Sequence, residues 1–174
     1  MPEEIINKVS QSELITLDLE QFFPKEKIRI FDLKPFLFME LILREKDFRS
    51  ALLITDWTIY KDEIVGIYCS ADAVIPVWAY MLVTSYLQPY AKEVVMGDET
   101  AVLRQVITNR IQAVNTEEYK DRRIVVKGCG DRPVGDFAFL EITKLLRPVA
   151  KSIMYGEPCS TVPVFKAQSL KPKA

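Results

Sequence analysis

The residues of this sequence best suited to chemistry are its three cysteines, Cys69, Cys129 and Cys159. A thiolate is both a nucleophile and a ligand for soft metal ions. Each cysteine is expected just beyond a β-strand, within Cys69-Ser70-Ala71-Asp72, Gly128-Cys129-Gly130-Asp131 and Gly156-Glu157-Pro158-Cys159-Ser160-Thr161. Ligands of open α/β sheets sit beyond the carboxyl ends of the strands, so the three thiols are expected at one rim. Cys69 and Cys129 precede predicted helices, where the dipole and free N–H groups favour thiolate over thiol. Three thiolates with a fourth position left to Asp72, Asp131, Glu157, water or a partner suit zinc, at about 2.3 Å, or an iron–sulfur cluster. Gly128 and Gly130 would let the backbone approach an anion, with Ser70, Ser160 and Thr161 as further donors. No CxxC pair is present. Cysteine is also a small residue that packs well in cores, so a structural role without a cofactor stands beside the metal reading.

What the sequence lacks narrows the chemistry. It has no histidine, which removes Ser-His-Asp and Cys-His pairs and any His-ligated zinc within the chain. Acid–base work would fall to Asp, Glu, Lys, Tyr or Cys. Lysine and arginine number 23 against 24 acidic residues, a net charge of -1, which does not favour nucleic acid as a partner. Met1-Pro2-Glu3-Glu4 does not read as a secretory signal, and reduced thiols in a cytoplasm are the expectation. The uncharged stretch between Asp72 and Lys92 contains Pro76, Thr84, Ser85, Gln88 and Pro89. It reads as a helix inside the domain or at a subunit contact, not as a membrane span.

The elements that must position the thiols follow from periodicity. Glu63–Tyr68, Lys92–Met96 and Arg123–Lys127 are short apolar runs of the kind that form strands buried on both faces. They alternate with predicted helices over 73–87, 98–112 and 134–149, the second carrying Val102, Leu103, Val106, Ile107 and Ile111 at helical spacing. Ser152–Tyr155 and Val162–Phe165 are shorter strand candidates. This alternation predicts an α/β fold, a three-layer, mostly parallel sheet built of βαβ units from about residue 62. Residues 1–60, with strands over 14–19 and 28–31 and a helix over 45–55, read as an appended α+β layer. The whole of 1–165 reads as one domain followed by a flexible basic tail over 166–174, and no internal repeat is apparent.

Other motifs are weaker. Gly128-x-Gly130-x-x-x-x-Gly135 lies at a strand-to-helix turn but lacks the spacing of a dinucleotide or phosphate loop. Arg44-Glu45-Lys46-Asp47 reads as a solvated helix start. Trp57, Trp78, Tyr80 and Tyr86 are expected in the core or at a dimer contact. A partner protein, a second copy included, is compatible with this pattern, as is a thiol enzyme or sulfur carrier.

Five stretches resemble an uncharacterised bacterial family known as domain of unknown function 2480. They are 43–49 (Leu-Arg-Glu-Lys-Asp-Phe-Arg), 69–73 (Cys-Ser-Ala-Asp-Ala), 78–81 (Trp-Ala-Tyr-Met), 127–130 (Lys-Gly-Cys-Gly) and 156–163 (Gly-Glu-Pro-Cys-Ser-Thr-Val-Pro). The resemblance implies no established activity. It places members near iron–sulfur assembly components on the chromosome, which implies a metal- or sulfur-handling role.

Overall fold

The computed structural model describes residues 14–128, 130, 132 and 134–167. The chain divides into two compact units: an inserted unit, 24–107, and a split unit formed by 1–23 together with 108–174.

In the inserted unit, β2 (Ile28–Asp32), β5 (Ile64–Tyr68) and β6 (Glu93–Met96) form a wholly parallel sheet in the order β2-β5-β6. Alternation along the strands decides what covers each face. Phe31, Val65 and Ile67 pack with Phe48 and Leu52 of α1 (Glu45–Ile54) and with Ala79, Val83 and Leu87 of α2 (Val77–Leu87). Ile64, flanked by Ile28, Ile30 and Val95, packs with Val102 and Val106 of α3 (Glu99–Gln112). The result is three layers with the sheet in the middle. The first face is rich in rings: Phe31 stacks on Phe36 at 5.4 Å and on Trp57 at 5.5 Å, and Trp57 stacks on Tyr86 at 5.0 Å. The buried Trp57 indole donates to the Leu52 carbonyl at 3.0 Å. Trp78 is half-buried, against Phe48.

Between β2 and α1 lies a hairpin of β3 (Leu37–Phe38) and β4 (Ile42–Leu43). Its turn residues Met39 and Glu40 both adopt the left-handed conformation, φ 53° and 58°, which is costly for non-glycine residues.

In the split unit, β1 (Leu14–Asp18), β7 (Arg123–Lys127) and β8 (Ser152–Glu157) run parallel, and β9 (Ser160–Lys166) returns antiparallel beside β8, in the order β1-β7-β8-β9. The helix α4 (Asp136–Leu146) connects β7 to β8, burying Ala138, Ile142 and Leu146.

The α/β fold with βαβ units is as expected, and four sequence expectations change. The long strands form two sheets instead of one. Residues 1–60 are not an appended layer, because β1 and β2 each supply the parallel edge strand of a sheet. The helix expected from residue 73 begins at Val77, since Pro76 is extended (φ -61°, ψ 137°) and disfavours helical backbone in the residue before it. Lys166 ends β9, so the expected tail is shorter at its start, and its remainder from 168 lies outside the described residues.

A fifth expectation, that no repeat exists, is overturned. Residues 56–98 and 115–157 are two copies of one motif in unbroken alignment. Tyr60-Lys61-Asp62 matches Tyr119-Lys120-Asp121, and both aspartates are left-handed, φ 60° and 57°. Asp62 N–H donates to the Tyr90 carbonyl at 3.0 Å, and Asp121 N–H to Val149 at 2.9 Å. The Lys92 and Lys151 amides reach the Glu63 and Arg122 carbonyls, both at 2.9 Å. Ala79, Val83 and Leu87 are fully buried on α2, as Ala138, Ile142 and Leu146 are on α4. A glycine of positive φ stands near the end of each second strand, Gly97 just after β6 and Gly156 one residue before the end of β8. The edge strands match as well. Asp18-Leu19 and Asp32-Leu33 end β1 and β2, both leucines are fully buried, and each aspartate accepts from the amide two residues on.

Candidate functional site

The duplication shows where the copies diverge, and they diverge at the carboxyl ends of the strands. In the inserted unit the rim is closed by side chains. The Asp32 carboxylate accepts from Lys34 N–H at 2.9 Å, Ser70 N–H at 3.0 Å and the Ser70 hydroxyl at 2.5 Å. Partial burial pushes its pKa up, but the Ser70 hydroxyl and the two amides outweigh that and hold it below the usual carboxylate value. Asp32 therefore ties the end of β2 to the loop after β5. Cys69, half-buried in that loop, packs against the aromatic core, with its Sγ 3.6 Å from the Ala71 carbonyl. Burial, and secondarily the nearby Cys69, push the Tyr80 pKa up. Asp72 is exposed.

In the split unit the equivalent aspartate has a different partner. Asp18 accepts from Glu20 N–H at 3.0 Å and faces Lys127 Nζ at 3.2 Å. The hydrogen bond that Lys127 donates to Asp18, the charge of Asp18, and the charges of Glu157 and Glu20 raise the Lys127 pKa. Three carboxylates thus act on one ammonium group at this rim. Glu20 also lies against the backbone of Gly130: a Cβ there would sit 1.8 Å from its Oε1, so any larger residue would have to displace the Glu20 carboxylate. Gly128 is tight too, since a Cβ would meet Phe139 at 3.0 Å and Leu19 at 3.3 Å. In the repeat alignment Gly128 is the counterpart of Cys69, and Cys129 that of Ser70.

Cys159 is exposed in the tight turn between β8 and β9, where Glu157 pairs with Ser160 and Gly156 with Thr161. Val126 pairs with Tyr155, so the ends of β7 and β8 are neighbours in register. Cys129 follows the end of β7 in sequence; it and Asp131 lie outside the described residues. The single rim expected for the three cysteines is divided between two sheets. Cys69 follows a strand of the inserted unit, while Cys159 lies in the split unit. The reason is strand pairing: β5 and β7 each take their own N-terminal edge strand. Among the described residues no group of three or more Cys, Asp or Glu side chains could hold a metal ion.

The sequence reading missed Asp18, Glu20, Asp32 and Lys127. The signal that finds them is the recurrence of Asp-Leu-x-x-Phe at 18–22 and 32–36.

Fold and rim define a duplicated α/β protein with diverged strand ends and an exposed thiol at one of them. The chain belongs to the family described as protein of unknown function (DUF2480), whose model matches residues 3–167. No curated protein and no solved structure matches it. Among the described residues no helix is long and apolar enough to cross a membrane.

Proposed function

We propose that this chain is a non-catalytic accessory protein that binds a thiophilic divalent cation, zinc in the first instance, at the rim of the four-stranded sheet. Cys129 and Cys159 would be the thiolate ligands, with Glu157 and Asp131 as oxygen donors. The observation that carries the reading is the exposed Cys159 on the β8–β9 turn, beside the strand end that Cys129 follows. Electrostatics support a cation. Asp18 pairs with Lys127, the charges of Glu157 and Glu20 act on the same lysine, and Glu20 lies against Gly130, so three carboxylates stand near this loop. Cys69 belongs to the inserted unit and packs against its own core.

The test is zinc content and competition against a chromophoric chelator, on untagged protein purified without oxygen. We expect about one equivalent of zinc. It should be lost on Cys129→Ser or Cys159→Ser and retained on Cys69→Ser. Protein that neither carries nor competes for zinc would end the proposal, as would zinc retained by both rim variants.

A further inference from the structure

The split unit has a second feature, independent of its thiols. A cavity of about 660 Å³ lies along the four-stranded sheet, bounded by side chains from all four strands. This is within the usual range for small-molecule sites, about 300–1,000 Å³. Its accessible apolar side chains are Leu14, Met154, Pro163 and Phe165, with the fully buried Val125 beneath them. The long axis follows from the register. Arg123 and Ser152, which pair with each other, mark the amino ends of β7 and β8, while Pro158 and Thr161 lie at the carboxyl end of β8.

Charge is confined to the amino end. Arg123 begins β7, Lys151 precedes β8, and Lys166 is paired with Ser152 across β9. All three are exposed, none forms an ion pair with another described residue, and no Asp or Glu is among the described residues around the cavity. An apolar trough whose described lining carries three cations at one end and no acid is complementary to an amphipathic anion. The head would meet the cations and the tail would lie over the apolar side chains. A neutral apolar ligand would leave the cations unused, and a polyanion would leave the apolar floor unfilled. We infer that this trough binds an elongated apolar monocarboxylate, with its carboxylate at Arg123, Lys151 and Lys166 and its chain running along β8 toward Pro158.

The experiment is displacement of dansyl-undecanoate fluorescence from the full chain, with laurate and dodecanol as competitors. We expect saturable probe binding, displaced by laurate at a concentration at least about tenfold lower than by dodecanol, the ratio that separates a charged from an uncharged head group by a single charge-assisted hydrogen bond. Arg123→Glu combined with Lys151→Glu should weaken laurate about tenfold or more, and Lys151→Glu alone should weaken it measurably. Both substitutions are at exposed positions, so folding should survive them. Non-saturable binding, equal competition by dodecanol, or laurate affinity unchanged in the double variant would each overturn the inference.

Discussion

Gly66 is a tight point of the inserted unit, and Gly66→Ala tests how its layers fit. A Cβ at this position would lie 2.6 Å from Ile30 Cδ1, 2.6 Å from Val102 Cγ2 and 2.7 Å from the Gly97 carbonyl oxygen. The two methyls belong to side chains that can rotate. The carbonyl cannot, because Gly97 is backbone anchored by its own N–H to the Ile67 carbonyl at 2.9 Å. The sheet and α3 would therefore have to separate. Overpacking of this kind costs about 1–3 kcal/mol, and with three simultaneous contacts, one of them backbone, we expect the upper part, about 2–3 kcal/mol. At a urea slope of about 2 kcal/mol/M, the midpoint should fall by about 1–1.5 M. The chain has two tryptophans, Trp57 and Trp78, both in this unit, so their fluorescence reports its unfolding. Val102→Ala removes one of the three clashes. The double variant should be less destabilised than the sum of the single variants by at least about 0.5 kcal/mol. A Gly66→Ala midpoint within 0.2 M of the parent, or strict additivity with Val102→Ala, would refute the reasoning.

Two further outcomes follow from the strand ends. The Asp32 pKa is lower in the folded than in the unfolded chain, so its stabilisation is complete above about pH 4 and is lost as pH falls through the folded value. Unfolding midpoints measured from pH 6 to pH 3 should therefore drop more steeply for the parent than for Asp32→Asn; parallel curves would contradict this. Mass spectrometry after brief alkylation should find Cys159, exposed in its turn, modified well before Cys69, which packs on the core; equal rates would show that Cys69 is not held as described.

The long strands and all four helices were legible from periodicity because their apolar positions obey one period each. Ile124, Val125 and Val126 are buried on both faces of a parallel strand, and Phe48 and Leu52 share one face of α1. The number of sheets was not legible, because pairing is a long-range choice between strands of similar composition. Ile28–Asp32 could join either sheet on pattern alone. The duplication escaped notice because few of its matched residues are identical. It becomes visible where geometry demands a residue type, as at Asp62 and Asp121 or Gly97 and Gly156. Cys69 and Cys159 follow strands as expected, but Cys69 and Cys129 are not equivalent positions in the repeat. Gly128 stands at the position of Cys69, where a Cβ would press on Phe139 and Leu19.

The pairing of the edge strands also dictates an order of events during synthesis. β2 finds its partner β5 within the contiguous stretch 24–107, so the inserted unit can fold as soon as that stretch has left the ribosome. β1 is made first, yet Leu14 pairs with Arg123 and cannot be paired until β7 emerges. Closing so long a loop carries an entropic cost that local contacts do not share. Until then β1 is an orphan strand with an open hydrogen-bonding edge, the kind of edge that invites mispairing. The duplicated Asp-Leu ending makes the hazard specific, since β1 carries the same terminal signal as β2 and emerges ahead of it. Early formation of the β2–β5 pair removes the competing site before the proper partner of β1 is made.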